Sequence, residues 1–178
     1  MKSTYIIILV AVISVFAFAQ NKENKVRLSP KAEVMQVVGF TEVRINYSRP
    51  AVKNREIWGK LVPYNVVWRA GANEATKFTF SSDVIIEGKL LKAGSYSFFA
   101  IPTKSEWTLI FNKVADQWGA FQYNEAEDAL RIKVKPKKSN HFHEWLTYEI
   151  TKTGDYSAMI SLAWEKLKVD FKLDAIDK

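Results

Sequence analysis

Apolar and polar residues alternate with a period of two along much of the chain. Val43, Ile45 and Tyr47 alternate with Glu42, Arg44, Asn46 and Ser48, and Phe78 and Phe80 with Lys77 and Thr79. Leu130, Ile132 and Val134 alternate with Arg131, Lys133 and Lys135, and Leu146, Tyr148 and Ile150 with Trp145, Thr147 and Glu149. Leu167, Val169, Phe171 and Leu173 repeat the pattern near the C-terminus. Successive side chains of a strand point to opposite faces, so each run predicts a strand with one buried and one wet face. Glu87-Gly88-Lys89, Lys92-Ala93-Gly94-Ser95 and Thr153-Gly154-Asp155 supply turn signals between the runs, and Lys137-Lys138-Ser139-Asn140 reads as a further turn. The expected fold is all-β: an antiparallel β-sandwich or open barrel with little helix. Short helical turns are expected only around 55–61 and 125–129.

Residues 47–76 break the alternation. This stretch holds three arginines, two tryptophans, two tyrosines, three asparagines and two glutamates. A mere connector would be shorter and richer in Gly and Ser, and long ordered loops in compact domains are often functional. Here Arg69 offers a planar fork that matches carboxylate or phosphate, and Asn73 and Glu74 set an amide beside a carboxylate. Trp58, Trp68 and Tyr64 offer flat surfaces, and Arg49, Arg55 and Thr76 complete the polar set. Together these residues predict a pocket for a small polar or glycan-like ligand with a flat or anionic part. Two alternatives stay open. Arg69 and Glu74 can pair with each other, or with Arg49 and Arg55, and simply brace the loop of an envelope structural or interaction protein with no small-molecule site, since buried charges are tolerated when paired. Alternatively Glu74 acts as acid or base of a hydrolase with Arg69 as anion clamp, Glu56 and Glu144 being the available second carboxylates.

The N-terminus bears on compartment. Lys2, the apolar run Tyr5 to Phe18 and the small-x-small step Ala17-Phe18-Ala19 read as a signal peptide over 1–19. The apolar run falls short of the ~20 residues that a membrane span requires. A polar leader over 20–27 and one β domain over 28–178 follow, with no transmembrane segment after cleavage and a periplasmic or extracellular destination. There is no cysteine, so neither a disulfide nor thiol chemistry nor a lipid-bearing cysteine is available. Stability rests on a core, which 48% hydrophobic and 13% aromatic content can supply.

A net charge of +7 is the remaining global signal. Lys133 and Lys135 fall on the polar side of a predicted strand, and no basic patch with interleaved stacking aromatics appears, so a nucleic-acid partner is not expected. His141 and His143 share one face of a strand but lack a third ligand nearby, so no metal is expected. Gly-x-Ser-x-Gly, His-Glu-x-x-His and phosphate-cradling glycine loops are absent, and no cofactor is expected. Trp107, Trp118 and Trp164 are expected in the core, and Trp145, opposite Leu146, at the surface.

Tyr47-Ser48-Arg49-Pro50, Arg55-x-Ile57-Trp58-Gly59, Val62-Pro63-Tyr64 and Trp68-Arg69-x-Gly71-Ala72-Asn73-Glu74-Ala75-Thr76 form a recognisable series. It continues as Ala93-Gly94-Ser95-Tyr96-Ser97, Ile101-Pro102, Trp107, Trp118-Gly119 and Leu162-x-Trp164-Glu165. The series resembles an exported bacterial family designated domain of unknown function 2911, over nearly the whole chain after residue 27. The resemblance implies compartment and domain extent and carries no activity. Asn54 stands where that family often has Gly, and Ala70 where it often has Thr. Asn tolerates a left-handed backbone best after Gly, so the first difference preserves a turn. The second removes a hydroxyl.

Overall fold

The computed structural model describes residues 26–176. The signal-peptide segment and most of the polar leader lie outside these residues. Ten strands follow in order: β1 (Lys31–Val38), β2 (Thr41–Ser48), β3 (Thr76–Phe80), β4 (Val84–Ile86), β5 (Lys89–Leu91), β6 (Gly94–Ile101), β7 (Trp107–Asn112), β8 (Asp128–Val134), β9 (Lys137–Lys152) and β10 (Ser157–Ala175). They form a six-stranded sheet ordered β1-β2-β3-β6-β7-β8 and a four-stranded sheet ordered β5-β4-β10-β9, with every pair antiparallel. Neither sheet closes on itself, so the molecule is a sandwich and not a barrel.

Alternation sets the register. Val43 faces Phe80 and Ile45 faces Phe78 across β2 and β3, which places one apolar row inside. That row meets Phe98 and Phe111 from β6 and β7 and Phe171 from β10, all fully buried, with the Phe98 and Phe171 rings stacked at 5.9 Å. Hairpins close where the turn residues dictate. Glu87 and Gly88 both take positive φ (47° and 77°) between β4 and β5, as a tight two-residue hairpin requires.

Two local expectations change and a third holds. Residues 137–140 belong to β9 and not to a turn, because Lys137 and Lys138 pair with Lys168 and Leu167 beyond a bulge in β10. That bulge centres on Glu165, whose φ is +56°. Residues 55–61 form no helix. Two chain reversals and a bridge between Trp58 and Val62 hold them instead, with Val62 N–H donating to the Ile57 carbonyl at 2.9 Å. At 125–129 a single 3-10 turn (Glu125–Glu127) appears, capped by the Asn124 side chain.

One end of the sandwich is sealed by tryptophan. Trp58 and Trp68 from the long loop pack on Trp107 of β7 and Trp164 of β10, with ring centroids 4.8 to 6.2 Å apart. Trp118 is not in this core: it is 58% exposed on the loop after β7. The same loop covers a small second core on the outer face of the large sheet, built on Ala75, Phe99 and Ile110. Trp107→Ala is expected to cost about 3–5 kcal/mol in urea unfolding, the usual loss for a buried aromatic. Trp118→Ala is expected to stay within about 0.5 kcal/mol of wild type. Equal losses at the two positions would contradict this packing.

Candidate functional site

The loop joining β2 to β3 is pinned at its backbone. Pro50 turns the chain out of β2, and its carbonyl accepts from Leu146 N–H at 3.0 Å, so the exit is held against β9. Lys53 and Asn54 follow in left-handed conformation (φ 47° and 55°), the geometry expected of Asn54. Further on, Trp68 exchanges two backbone hydrogen bonds with Ala100 of β6, each 2.8 Å. Ala70 also adopts positive φ (50°), which turns its carbonyl inward. Thr76 Oγ1 and Tyr148 OH both donate to that carbonyl, at 3.0 and 2.9 Å. Gly71 passes so close to β2 and β3 that a Cβ there would meet Thr76 Oγ1 at 2.9 Å and the Ser48 carbonyl at 3.3 Å.

Several candidate side chains serve this scaffold. Arg49 donates to the Leu146 carbonyl and to Thr147 Oγ1 at 3.0 and 2.9 Å, tying the loop to β9. Arg55 donates to the carbonyls of Val52 and Ala51 within its own turn. Trp58 packs in the tryptophan cluster, and Thr76 is fully buried on Ala70. Asn73, with φ +58°, reaches the Ser29 carbonyl at 3.4 Å.

Arg69 and Glu74 do not pair. Glu74 is gripped by Arg27, whose two terminal nitrogens donate to its two oxygens at 2.6 and 3.0 Å, with Lys31 3.5 Å away. The hydrogen bonds from Arg27 hold the Glu74 carboxyl down to about 2. Arg27, the last residue of the expected leader, is thus fastened to the domain. Its position 47 residues from Glu74 gives no local signal of the contact.

Arg69 is the contrast. It is half-buried, its Nε is shielded from water, and among the described residues no hydrogen bond or ion pair engages its guanidinium. Burial pushes its pKa down, since desolvation disfavours the charged form. One terminal nitrogen lies beside Gly119, where a Cβ would sit 3.2 Å from it. Arg69 lines a cleft of about 560 Å³ with Lys53, Arg55, Trp68, Asn73 and Trp164. No Asp or Glu is among the described residues that line it. Trp164 Nε1 is also sealed from solvent and meets no acceptor among the described residues. The described lining therefore presents cations and supplies no anion.

Glu74 faces the other way, into a cleft of about 720 Å³ on the outer surface of the six-stranded sheet. The Arg27–Glu74 pair thus stands between the two clefts, Arg27 lining one and Glu74 the other. Of the two histidines, His141 is exposed and His143 shares a hydrogen bond with Ser139 at 2.8 Å. Among the described residues no group of three His, Asp or Glu side chains is arranged to hold a metal ion.

The grip on Glu74 has a pH signature. A carboxylate with a folded-state pKa near 2 and an ordinary value of 4.5 stabilises the fold fully above pH 4.5 and loses that contribution as pH falls towards 2. Glu74→Gln is therefore expected to unfold more readily than wild type at neutral pH, the difference shrinking to nothing in acid. Both partners are partly exposed, so the margin is modest and falls with salt. A difference that persists unchanged down to the acid limit would contradict the ion pair.

Neither a curated protein nor a solved structure matches the chain. A family model does, the one described as "Protein of unknown function (DUF2911)", over residues 29–173, which takes in the described lining of both clefts except Arg27 and Leu28. The chain belongs to that family.

Proposed function

We propose that this is an exported, noncatalytic binding protein that holds a small anionic ligand, a carboxylate or phosphate, in the cleft around Arg69. Export rests on the signal-peptide pattern of residues 1–19. The ligand class rests on one observation: Arg69 is a half-buried cation with no partner among the described residues, in a cleft whose described lining contains no carboxylate. Leaving a guanidinium partly desolvated and unpaired is costly, and a structural arginine would have a carboxylate or carbonyl beside it. Arg49 and Arg55 show what such bracing looks like in this same loop.

The arrangement suits recognition. Backbone bonds to β6 and β9 fix the loop, so Arg69 is held in place before any ligand arrives. An acidic oxygen beside Arg69 accepts its charge-assisted hydrogen bonds, with Lys53 adding a second positive charge at the rim. Trp68 supplies an apolar wall for the body of the ligand. Glu74 is a poor proton carrier here: near neutral pH it stays ionised and locked to Arg27, and it faces the other cleft.

Calorimetric titration of the protein with inorganic phosphate, citrate and galacturonate tests the proposal. At least one is expected to bind saturably, more weakly as salt rises. Arg69→Met is expected to weaken that binding about tenfold or more, the scale of a lost hydrogen bond to a charged group. Binding unchanged by Arg69→Met, or no binding by any of the three, would overturn it.

A further inference from the structure

The second cleft has the opposite chemistry. Its floor is the solvent face of β1, β2 and β3, where Glu33, Asn46 and Lys77 stand on the polar side of the alternation. One wall is the loop after β7, carrying Asp116, Gln117 and Trp118. Both signs of charge are present and mutually engaged: Lys77 Nζ meets Asp116 at 2.9 Å, and Glu33 accepts from Asn46 and Arg44. Lys31, the other cation of the lining, lies 3.5 Å from Glu74, so each charge here has an opposite one beside it, unlike Arg69 in the other cleft. The volume, about 720 Å³, lies within the ~300–1,000 Å³ usual for ligand clefts.

Trp118 gives this cleft its character. Its indole is 58% exposed, although a tryptophan normally buries its large apolar surface. It is not there through disorder of the loop. Glu74 and Trp118 bridge as antiparallel neighbours, Ala75 N–H donates to the Gln117 carbonyl at 2.9 Å, and Gly119 N–H donates to the Asn73 carbonyl at 3.0 Å. Gly119 then turns away with φ +68°, and a side chain at that position would strike the Phe121 ring at 2.9 Å. The chain thus fixes a flat aromatic surface at the mouth of a polar cleft.

Gln117 adds a second observation. It is only 7% exposed and lines the cleft. Its amide nitrogen is spent on Ser97, Asn112 and the Val114 carbonyl, at 3.1, 3.2 and 2.9 Å. These bonds hold the loop, and Trp118 with it, against β6 and β7 of the six-stranded sheet. The Gln117 Oε1 is sealed from solvent and meets no donor among the described residues.

We infer that this cleft is a second binding site, for a neutral sugar, with Trp118 as the stacking platform. A pyranose ring has an apolar face that packs on an indole and a rim of hydroxyls that both donate and accept. Asn46, Lys77 and Asp116 offer both roles without a net charge to be neutralised. A charged ligand would have to break the Lys77–Asp116 pair, and a purely apolar one would strand the polar floor. The inference does not depend on the anion site, since the two clefts share only the wall between them.

The test uses the full chain and tetrasaccharides of glucose, mannose, galactose or N-acetylglucosamine at millimolar concentration, followed by calorimetry and tryptophan fluorescence. At least one is expected to bind and to perturb the emission. Trp118→Ala is expected to weaken it about tenfold or more, as removal of an aromatic anchor does. Arg69→Met and added salt are expected to leave it unchanged. Failure of every tetrasaccharide, or binding indifferent to Trp118→Ala, would overturn the inference. So would binding lost in Arg69→Met alone, which would return the sugar to the other cleft. Phosphate or citrate binding in the same samples, sensitive to Arg69 and not to Trp118, reports separately on the anion site.

Discussion

The carbonyl of Ala70 is the point on which the rest of the loop turns. It is fully buried and accepts from Thr76 at the start of β3 and from Tyr148 on β9, so one oxygen ties the loop to both sheets. Reaching it requires Ala70 to take φ +50°, a left-handed conformation that costs a non-glycine residue roughly 1–2 kcal/mol. The two hydrogen bonds and the close passage of Gly71 offset that cost. With the backbone locked at Ala70, the side chains on either side are committed. Arg69 lies towards the cation-lined cleft and Gly119, and Trp68 enters the tryptophan cluster that seals the sandwich end.

The charges then separate by use. Glu74 is satisfied by Arg27, and Arg49 and Arg55 by backbone carbonyls. These contacts brace the fold as arginine forks commonly do. Arg69 is left half-buried, with no oxygen among the described residues to receive its hydrogen bonds. One rigid wall, made of residues 73–75 and 117–119, divides its cleft from the one below Trp118. A cationic cleft and an aromatic cleft whose charges are paired stand on the two sides of that wall and select different ligands by electrostatics.

How much of this was legible in the sequence depended on which faces were wet. Strands β2, β3 and β8 and much of β10 show plain alternation because one side meets solvent, and all four follow from the sequence. Strands β6 and β7 do not alternate, since Phe99 and Ile110 on their outer face are covered by the loop after β7. The first part of β9 looked like a turn because its pairing depends on a bulge at Glu165 in the opposite strand. Residue type identified the long loop as the place to look, but types cannot assign partners. Arg27 reaches Glu74 across 47 residues, and Trp118, expected inside on its apolar surface, is held outside by pairing with Glu74.

The most direct measurement is the unfolding free energy of Arg69→Met against wild type in plain buffer without added anions. A half-buried cation held for a ligand destabilises the empty protein, so the variant is expected to be as stable as wild type or more so. A loss of about 3–5 kcal/mol, the cost of breaking a buried ion pair from one side, would contradict the account and make Arg69 a brace of the fold.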